Sequence, residues 1–294
     1  MASDVSAATG ALALLGRRSV RHTAQLGIST FIMTVGAIVT LIPFAWMLST
    51  SVKSNGEVFL VPVRWIPSQI ILSTYVQATQ TVPFLIYAVN SAHITLLVVL
   101  GTVGSSSLVA FAFARLRARG RDVLFLILLS TMMLPAEVIL VPTYLIFKGL
   151  GWLDTYNPLI VPTYFADAFS VFLLRQFYMT IPLELDDAAK IDGSGYTGIY
   201  WRIILPLSKP ALATVAIFAF FNSWNAFEGP LIYLNTMTKY TIPVGLNFFL
   251  TEHGSTPWNQ MMAASVMAMI PCLVVFFFAQ RTFIQGTVLT GLKG

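Results

Sequence analysis

Six stretches of this 294-residue chain are long and apolar enough to cross a lipid bilayer: roughly 26–49, 84–114, 123–147, 156–177, 211–233 and 259–283. A helix needs ~20 mostly apolar residues to cover ~30 Å of hydrocarbon. In lipid every backbone polar group must be satisfied within the protein, so such stretches are confined to helices. Composition agrees. Charged residues make up 10% of the chain and hydrophobic types 56%, with a mean hydropathy of +0.78, against roughly 25% charged in a soluble domain. A soluble fold of this length cannot hide that much apolar surface, and the same figures exclude intrinsic disorder. The sequence predicts an all-α, multi-pass membrane protein.

The net charge of +5 suggests nucleic acid only until the charges are located. They sit in short clusters between the apolar stretches. The amino-terminal segment, the second and fourth connections and the carboxy-terminal segment hold 13 of the 17 basic residues, among them Arg17, Arg18, Arg21 and the run Arg115, Arg117, Arg119, Arg121. Lys53, Arg64, Lys148 and Lys239 are the four on the other side. Lys and Arg translocate poorly. The basic side is therefore expected to be cytoplasmic, with both termini there. The expected division is a cytoplasmic segment 1–25, a six-helix domain 26–285 and a cytoplasmic tail 286–294.

The arginines near the start follow a short apolar patch, Ala11–Leu15, instead of preceding it. That order is wrong for a cleaved secretory signal. The single cysteine, Cys272, cannot form an intramolecular disulfide. The three histidines are scattered, no His/Cys/Asp set has metal-ligand spacing, and no G-x-x-x-x-G-K-[ST] phosphate loop is present. No enzyme, cofactor or metal is expected of this chain.

Prolines 43, 135, 142, 162, 230 and 271 fall within the apolar stretches. Each removes a backbone hydrogen bond and kinks its helix. They are either ordinary membrane-helix prolines or the corners of a water-accessible path. Gly101 and Ser105, one turn apart, allow another helix to approach closely. Polar groups inside a membrane are costly and usually face the bundle interior. In the fifth stretch Phe221, Trp224, Asn225 and Glu228, at i, i+3, i+4 and i+7, are expected on one face. With Asn222 they either contact a hydroxylated solute or serve packing and interfacial anchoring. Asn90, Glu137 and Asp167 carry the same ambiguity. Glu137 is placed to accept from backbone donors freed at Pro135, or else to relay a proton.

The fourth connection, 178–210, is the most informative. Glu184, Asp186, Asp187 and Asp192 are four of the chain's 12 acids. Pro182 suits a first helical turn, and the acids that follow are favoured near the positive end of the helix dipole. Asp192-Gly193-Ser194-Gly195 is a turn signal. A second short helix is expected from Tyr196 to Leu205, ended by Pro206. Helices that lie on lipid are usually Lys/Arg-rich on the polar face, and this one is acidic. A helix-turn-helix of this kind docks a partner or packs on its own chain.

The segment resembles the EAA signature of permease subunits in ATP-binding-cassette importers. Asp187-Ala188-Ala189 stands for Glu-Ala-Ala, Asp192-Gly193 follows at the family spacing, and Leu205-Pro206 closes it. Asp187 departs from the pattern by one methylene. Phe221-Asn222-Ser223-Trp224-Asn225-Ala226-Phe227 with Pro230-Leu231, Leu134-Pro135 with Val141-Pro142, Ser51-Val52-Lys53, and the ending Gly286…Gly291-Leu292-Lys293-Gly294 are similar to the MalG-like half of the carbohydrate-uptake (maltose-type) class. The resemblance covers nearly the whole chain.

What the resemblance implies is a permease half in a bacterial or archaeal cytoplasmic membrane. Its partners would be a second homologous permease subunit, two ATP-binding-cassette ATPases that hold the ATP and Mg, and an extracytoplasmic solute-binding protein. Glu184, Asp187, Ala188, Ala189, Asp192, Gly193, Leu205 and Pro206 would receive the ATPase stroke, with Asp187 and Asp192 orienting the element through hydrogen bonds or caps. Asn222, Trp224, Asn225 and Glu228 would line the solute path. Other readings are a stand-alone secondary transporter titrating Glu137 or Asp167, a half for a non-sugar solute such as glycerol phosphate, and a membrane scaffold.

Overall fold

A computed structural model describes residues 2–250 and 256–291, with side chains described over 26–250 and 256–280. Regular structure among these residues is helical throughout. The expected tail Leu292-Lys293-Gly294 lies outside the described residues, as do the side chains of Arg17, Arg18 and Arg21.

Helix α1 (Ala2–Ser51) carries Pro43 inside it. Its apolar stretch is exposed over 26–43, and it packs on the last helix, α14 (Trp258–Gly291). Where α1 ends, Lys53 is fully buried. Its Nζ donates to the Arg64 carbonyl and lies 4.2 Å from the centre of the Trp46 ring. Its own carbonyl accepts from Asn259 Nδ2 at 3.0 Å, which pins the start of α14. A short helix α2 (Ser73–Thr81) then leads through Pro83 into α3 (Phe84–Arg115).

The third apolar stretch, expected as one span, is two limbs. Helix α4 (Arg121–Ser130) passes through a 3-10 turn at Thr131–Met133, and α5 (Ala136–Gly149) departs at 99°. Pro135 is the cause: it offers no N–H and disfavours helical dihedrals in the residue before it, and Leu134 is extended. Glu137 lies in the first turn of α5, exposed. It makes no hydrogen bond among the described residues, so its expected service to the donors freed at Pro135 is not seen.

The fourth stretch is helical but interrupted. Helix α6 (Asn157–Ile160) gives way to a 3-10 segment at Val161–Phe165 containing Pro162, and α7 (Ala168–Thr180) resumes after Ala166, whose φ is +66°. Breaking a helix inside a membrane frees backbone groups that need partners. Helix α3 supplies them. Ser105 Oγ accepts from Ala166 N at 3.1 Å and lies 3.0 Å from the Thr163 carbonyl. Ser106 Oγ accepts from Asp167 N at 3.1 Å. Gly101 makes the approach possible: a Cβ there would stand 2.7 Å from Thr163 Oγ1 and the Tyr164 ring. The small-residue strip thus serves a broken segment of chain. Asp167 caps α7, accepting from Ser170 N and Oγ at 2.8 and 2.7 Å.

Beyond α7 come α8 (Glu184–Ile191), α9 (Tyr196–Ile199), a π-turn at Tyr200–Ile204, and α10 (Leu205–Leu207). The path bends by 77° at Ser208 into α11 (Lys209–Trp224). Pro206 therefore does not end the second short helix. The backbone widens into the π-turn just before it and remains helical to Leu207. Helix α11 stops at Trp224, and α12 (Glu228–Tyr233) starts afresh, so the expected single span 211–233 is divided. After a 3-10 turn at Met237–Lys239, α13 (Ile242–Asn247) leads towards α14.

Among the described residues, four helical stretches pass as membrane spans by length and composition: Leu26–Ser51, Phe84–Arg115, Asn157–Thr180 and Trp258–Gln280. Two bent pairs, Arg121–Met133 with Ala136–Gly149 and Tyr196–Leu207 with Lys209–Trp224, pass only jointly. Two apolar cores lie along α3. One, near Arg115, gathers Phe111, Phe125, Leu174, Tyr178, Ile199, Tyr200 and Ile204. The other, near Tyr87, gathers Ala78, Trp224, Ile242, Phe249, Ala263 and Ala264.

Candidate functional site

The segment from Tyr178 to Ser208 has one face held and one face free. Helix α8 begins with Glu184, Asp186 and Asp187 in its first turn and Lys190 in its last, an order that suits its dipole at both ends. It stops because Gly193 adopts φ +81°. Gly193 N donates to the Lys190 carbonyl at 3.0 Å and Ser194 N to the Ala189 carbonyl at 2.8 Å. That is the Schellman pattern, which calls for a residue tolerant of left-handed dihedrals. Gly193 has nothing within 4 Å of where a Cβ would lie. The glycine is needed for the turn, not for a close approach within this chain.

Glu184, Asp187, Ala188, Asp192, Gly193 and Pro206 are all exposed, with Ala189 and Leu205 half-buried against the core. Asp187 Oδ1 accepts from Lys190 Nζ at 3.0 Å. That bond holds the ammonium above its ordinary pKa. Neither Asp187 nor Asp192 caps a helix with its side chain. Asp192 takes part in the turn through its backbone alone. Ile191, beside the turn, is 87% exposed, and Trp201, on the π-turn, 62%.

The held face depends on a residue outside the expected set. Asp186 is buried, and its Oδ2 lies 3.1 Å from Arg115 Nε; the two side chains are 5% and 2% exposed. Arg115 Nη2 also donates to the Ile181 carbonyl at 2.8 Å. Burial raises the Asp186 pKa above the usual carboxylate value, against the pull of the Arg115 guanidinium. Its Oδ1 has no hydrogen-bond partner among the described residues. Arg115 was legible only as one of the charges marking the basic side. The available signal was its register: it continues a face of α3 through Ser107 and Phe111, at i, i+4 and i+8.

Of the residues expected along the solute path, Trp224 and Asn225 border one cavity of about 380 Å³ together with Phe221, while Asn222 and Glu228 lie apart from it. Trp224 is buried, stacked on Phe220, and donates from Nε1 to the Ala268 carbonyl at 3.1 Å. Asn225 caps the end of α11, and its Nδ2 donates to the Phe221 carbonyl at 2.9 Å. Glu228 opens the separate helix α12 and is exposed. The i, i+7 relation fails because Pro230 cannot donate the bond that a continuous helix would require of it. Asn222 is exposed and borders two other cavities. One, of about 210 Å³, includes Ser91, Val98 and Thr241. The other, of about 450 Å³, includes Val98, Thr102, Thr163, Asp167 and Ser170. Asn90 has a tethering role, donating to the Thr238 and Tyr240 carbonyls at 2.9 Å each.

The profile of a family described as binding-protein-dependent transport system inner membrane component matches residues 106–288. The arabinooligosaccharides transport system permease protein AraQ of Halalkalibacterium halodurans is 33% identical over 91% of this chain and 98% of its own. The sn-glycerol-3-phosphate transport system permease protein UgpE of Yersinia enterocolitica is 32% identical over 87% and 93%. Among solved structures, a bacterial ABC transporter involved in the import of the acidic polysaccharide alginate superposes with a TM-score of 0.75 at 26% identity, covering 86% of this chain and 94% of that one.

Proposed function

We propose that this chain, which belongs to the binding-protein-dependent transport system inner membrane component family, forms half of the path by which an ABC importer takes up a carbohydrate. As a family member it is a membrane-integral transport subunit. The carbohydrate reading rests on the AraQ relative and the alginate importer. In the proposed topology the bent pair Arg121–Met133 with Ala136–Gly149 counts as one span and α11 as the membrane limb of another, giving six, with the Arg115 end, the 178–210 segment and both termini cytoplasmic. Support comes from the Lys/Arg imbalance and from the acceptability of Arg121–Met133 with Ala136–Gly149 as a joint span. Residues 26–285 then form the permease domain, flanked by the segments 1–25 and 286–294.

The proposed partners are a second permease half, two ATPase subunits and an extracytoplasmic binding protein. ATP hydrolysis takes place on the ATPases. The stroke arrives at the free turn of α8, where Asp187, Ala188, Asp192 and Gly193 form the contact, with Glu184 at its edge and Ala189, Leu205 and Pro206 behind it. The observation that carries this assignment is the two-faced character of α8. Asp187, Ala188, Asp192 and Gly193 stand exposed while the adjacent Asp186 is buried against α3. On the solute side Asn222 is the path residue, with Trp224 and Asn225 shaping the helix end beside it and Glu228 at its margin.

Gly193→Pro and Ala188→Arg leave the chain inserted but uncoupled from ATP. Co-purification of the ATPase and uptake by reconstituted vesicles measure this; normal values for both would overturn the coupling role. Uptake by the isolated chain under a proton gradient would favour a secondary transporter instead. Binding of the cognate receptor to a panel of sugars, with glycerol phosphate included because of the UgpE relative, fixes the solute class.

A further inference from the structure

We infer that the buried Arg115–Asp186 pair, together with the hydroxyl node at Ser107, is the joint through which movement of the α8–α10 segment passes into α3. The inference rests on the coupling role proposed for that segment. One face of α3 makes every contact involved. Ser107 Oγ lies 2.7 Å from Tyr178 Oη and 2.8 Å from Tyr200 Oη, with all three residues buried. One turn on, the Phe111 ring packs 5.2 Å from that of Tyr200. One turn further, Arg115 reaches Asp186 and the Ile181 carbonyl. A single stripe therefore grips the end of α7, the first turn of α8 and the π-turn after α9.

The energetic asymmetry decides what happens when α8 is pushed. Its exposed face exchanges partner contacts for water at small cost. Its inner face cannot separate from α3 without stranding a carboxylate and a guanidinium out of water, which is strongly unfavourable. The pair holds, and α3 follows. Helix α3 also carries the wall of both Asn222 cavities, through Ser91 and Val98 for one and Val98 and Thr102 for the other. Arg115 and Asp186 are thus positioning residues: they touch neither solute nor nucleotide, and they tie the driven segment to the cavity wall.

The test uses the complete importer in liposomes, reading solute imported per ATP hydrolysed. Arg115→Gln and Asp186→Asn are each expected to keep the ATPases bound and hydrolysing while the ratio falls about tenfold, an ordinary size for coupling between sites. The charge-exchanged double variant, Arg115→Asp with Asp186→Arg, restores part of the ratio. Ser107→Ala, which leaves the pair in place, lowers it by about fivefold, at the weak end of such coupling. An unchanged ratio in whatever fraction of the single variants inserts overturns the joint, however poorly those variants fold. Failure of the parent chain to bind any ATPase would instead sink the coupling role itself.

Discussion

Two ion pairs join distant parts of this chain near opposite ends of α3, and they do so by different physics. Arg115–Asp186 is dry, with both side chains almost completely buried and with Asp186 Oδ1 and Arg115 Nε each lacking a hydrogen bond among the described residues. Lys239–Asp154 is wet and fully bonded. There the Asp154 carboxylate accepts from Asn235 N, Thr236 N, Thr236 Oγ1 and Lys239 Nζ at 2.6–2.9 Å. Asp154, at φ +56°, clasps the loop after α12. A wet pair with many donors can be remade after it opens. A dry pair cannot open halfway. The first suits a clasp between loops, the second a joint between moving parts.

The comparison is best broken by removing one partner of the dry pair. Arg115→Ala leaves Asp186 buried without a counter-charge and is expected to cost about 3–5 kcal/mol, read as a lower midpoint in thermal or denaturant unfolding of the detergent-solubilised chain. The Tyr87 end gets its tightness from packing instead. A Cβ on Gly245 would fall 2.2 Å from the Tyr87 ring. Gly245→Ala should therefore cost about 1–3 kcal/mol through overpacking, with no dependence on salt in the same measurement.

The two carboxylates should respond to acid with opposite signs. Donors hold the Asp154 pKa below its ordinary value, the largest share coming from Lys239. Its stabilising contribution is complete above the unfolded pKa of about 4 and is lost as pH falls towards the folded value. Burial holds Asp186 above its ordinary value, so the folded chain binds that proton more readily. Between about pH 4 and the folded pKa, acidification therefore favours the folded state at this residue. Unfolding midpoints against pH should show Asp154→Asn converging on the parent in acid, while Asp186→Asn loses acid stability more steeply than the parent. The smallest effect belongs to the exposed Asp187–Lys190 pair. Lys190→Gln should leave the midpoint unchanged within error at physiological salt, a contrast that puts a shifted coupling ratio in that variant down to the partner contact.

The placement of the apolar stretches, the asymmetry of basic residues and the turn at Gly193 were all legible in the sequence, because each depends on local composition or on a backbone demand that one residue type meets. The corner at Thr131–Pro135 and the division at Trp224–Glu228 were less so. A proline marks where a helix can fail, but whether it kinks or stops depends on what meets the freed backbone groups, such as Ser105 and Ser106 on a helix some 60 residues away. Asp186 and Asp187 are adjacent and chemically identical. Which one is buried follows from the rotation of α8 against α3, which no local pattern records. The charge census placed Arg115 only on the basic side, because it counts sites without regard to their register on the helix.

The corner between α4 and α5 also bears on how the chain is made. The 13 residues Arg121–Met133 and the 14 of Ala136–Gly149 each rise only ~20 Å, short of the ~30 Å of hydrocarbon. An insertion machinery that samples the nascent chain one segment at a time finds neither limb sufficient. The pair has to enter as a unit or wait at the interface for its neighbours, which makes this stretch a step of biogenesis exposed to a slowed or mispaired partner.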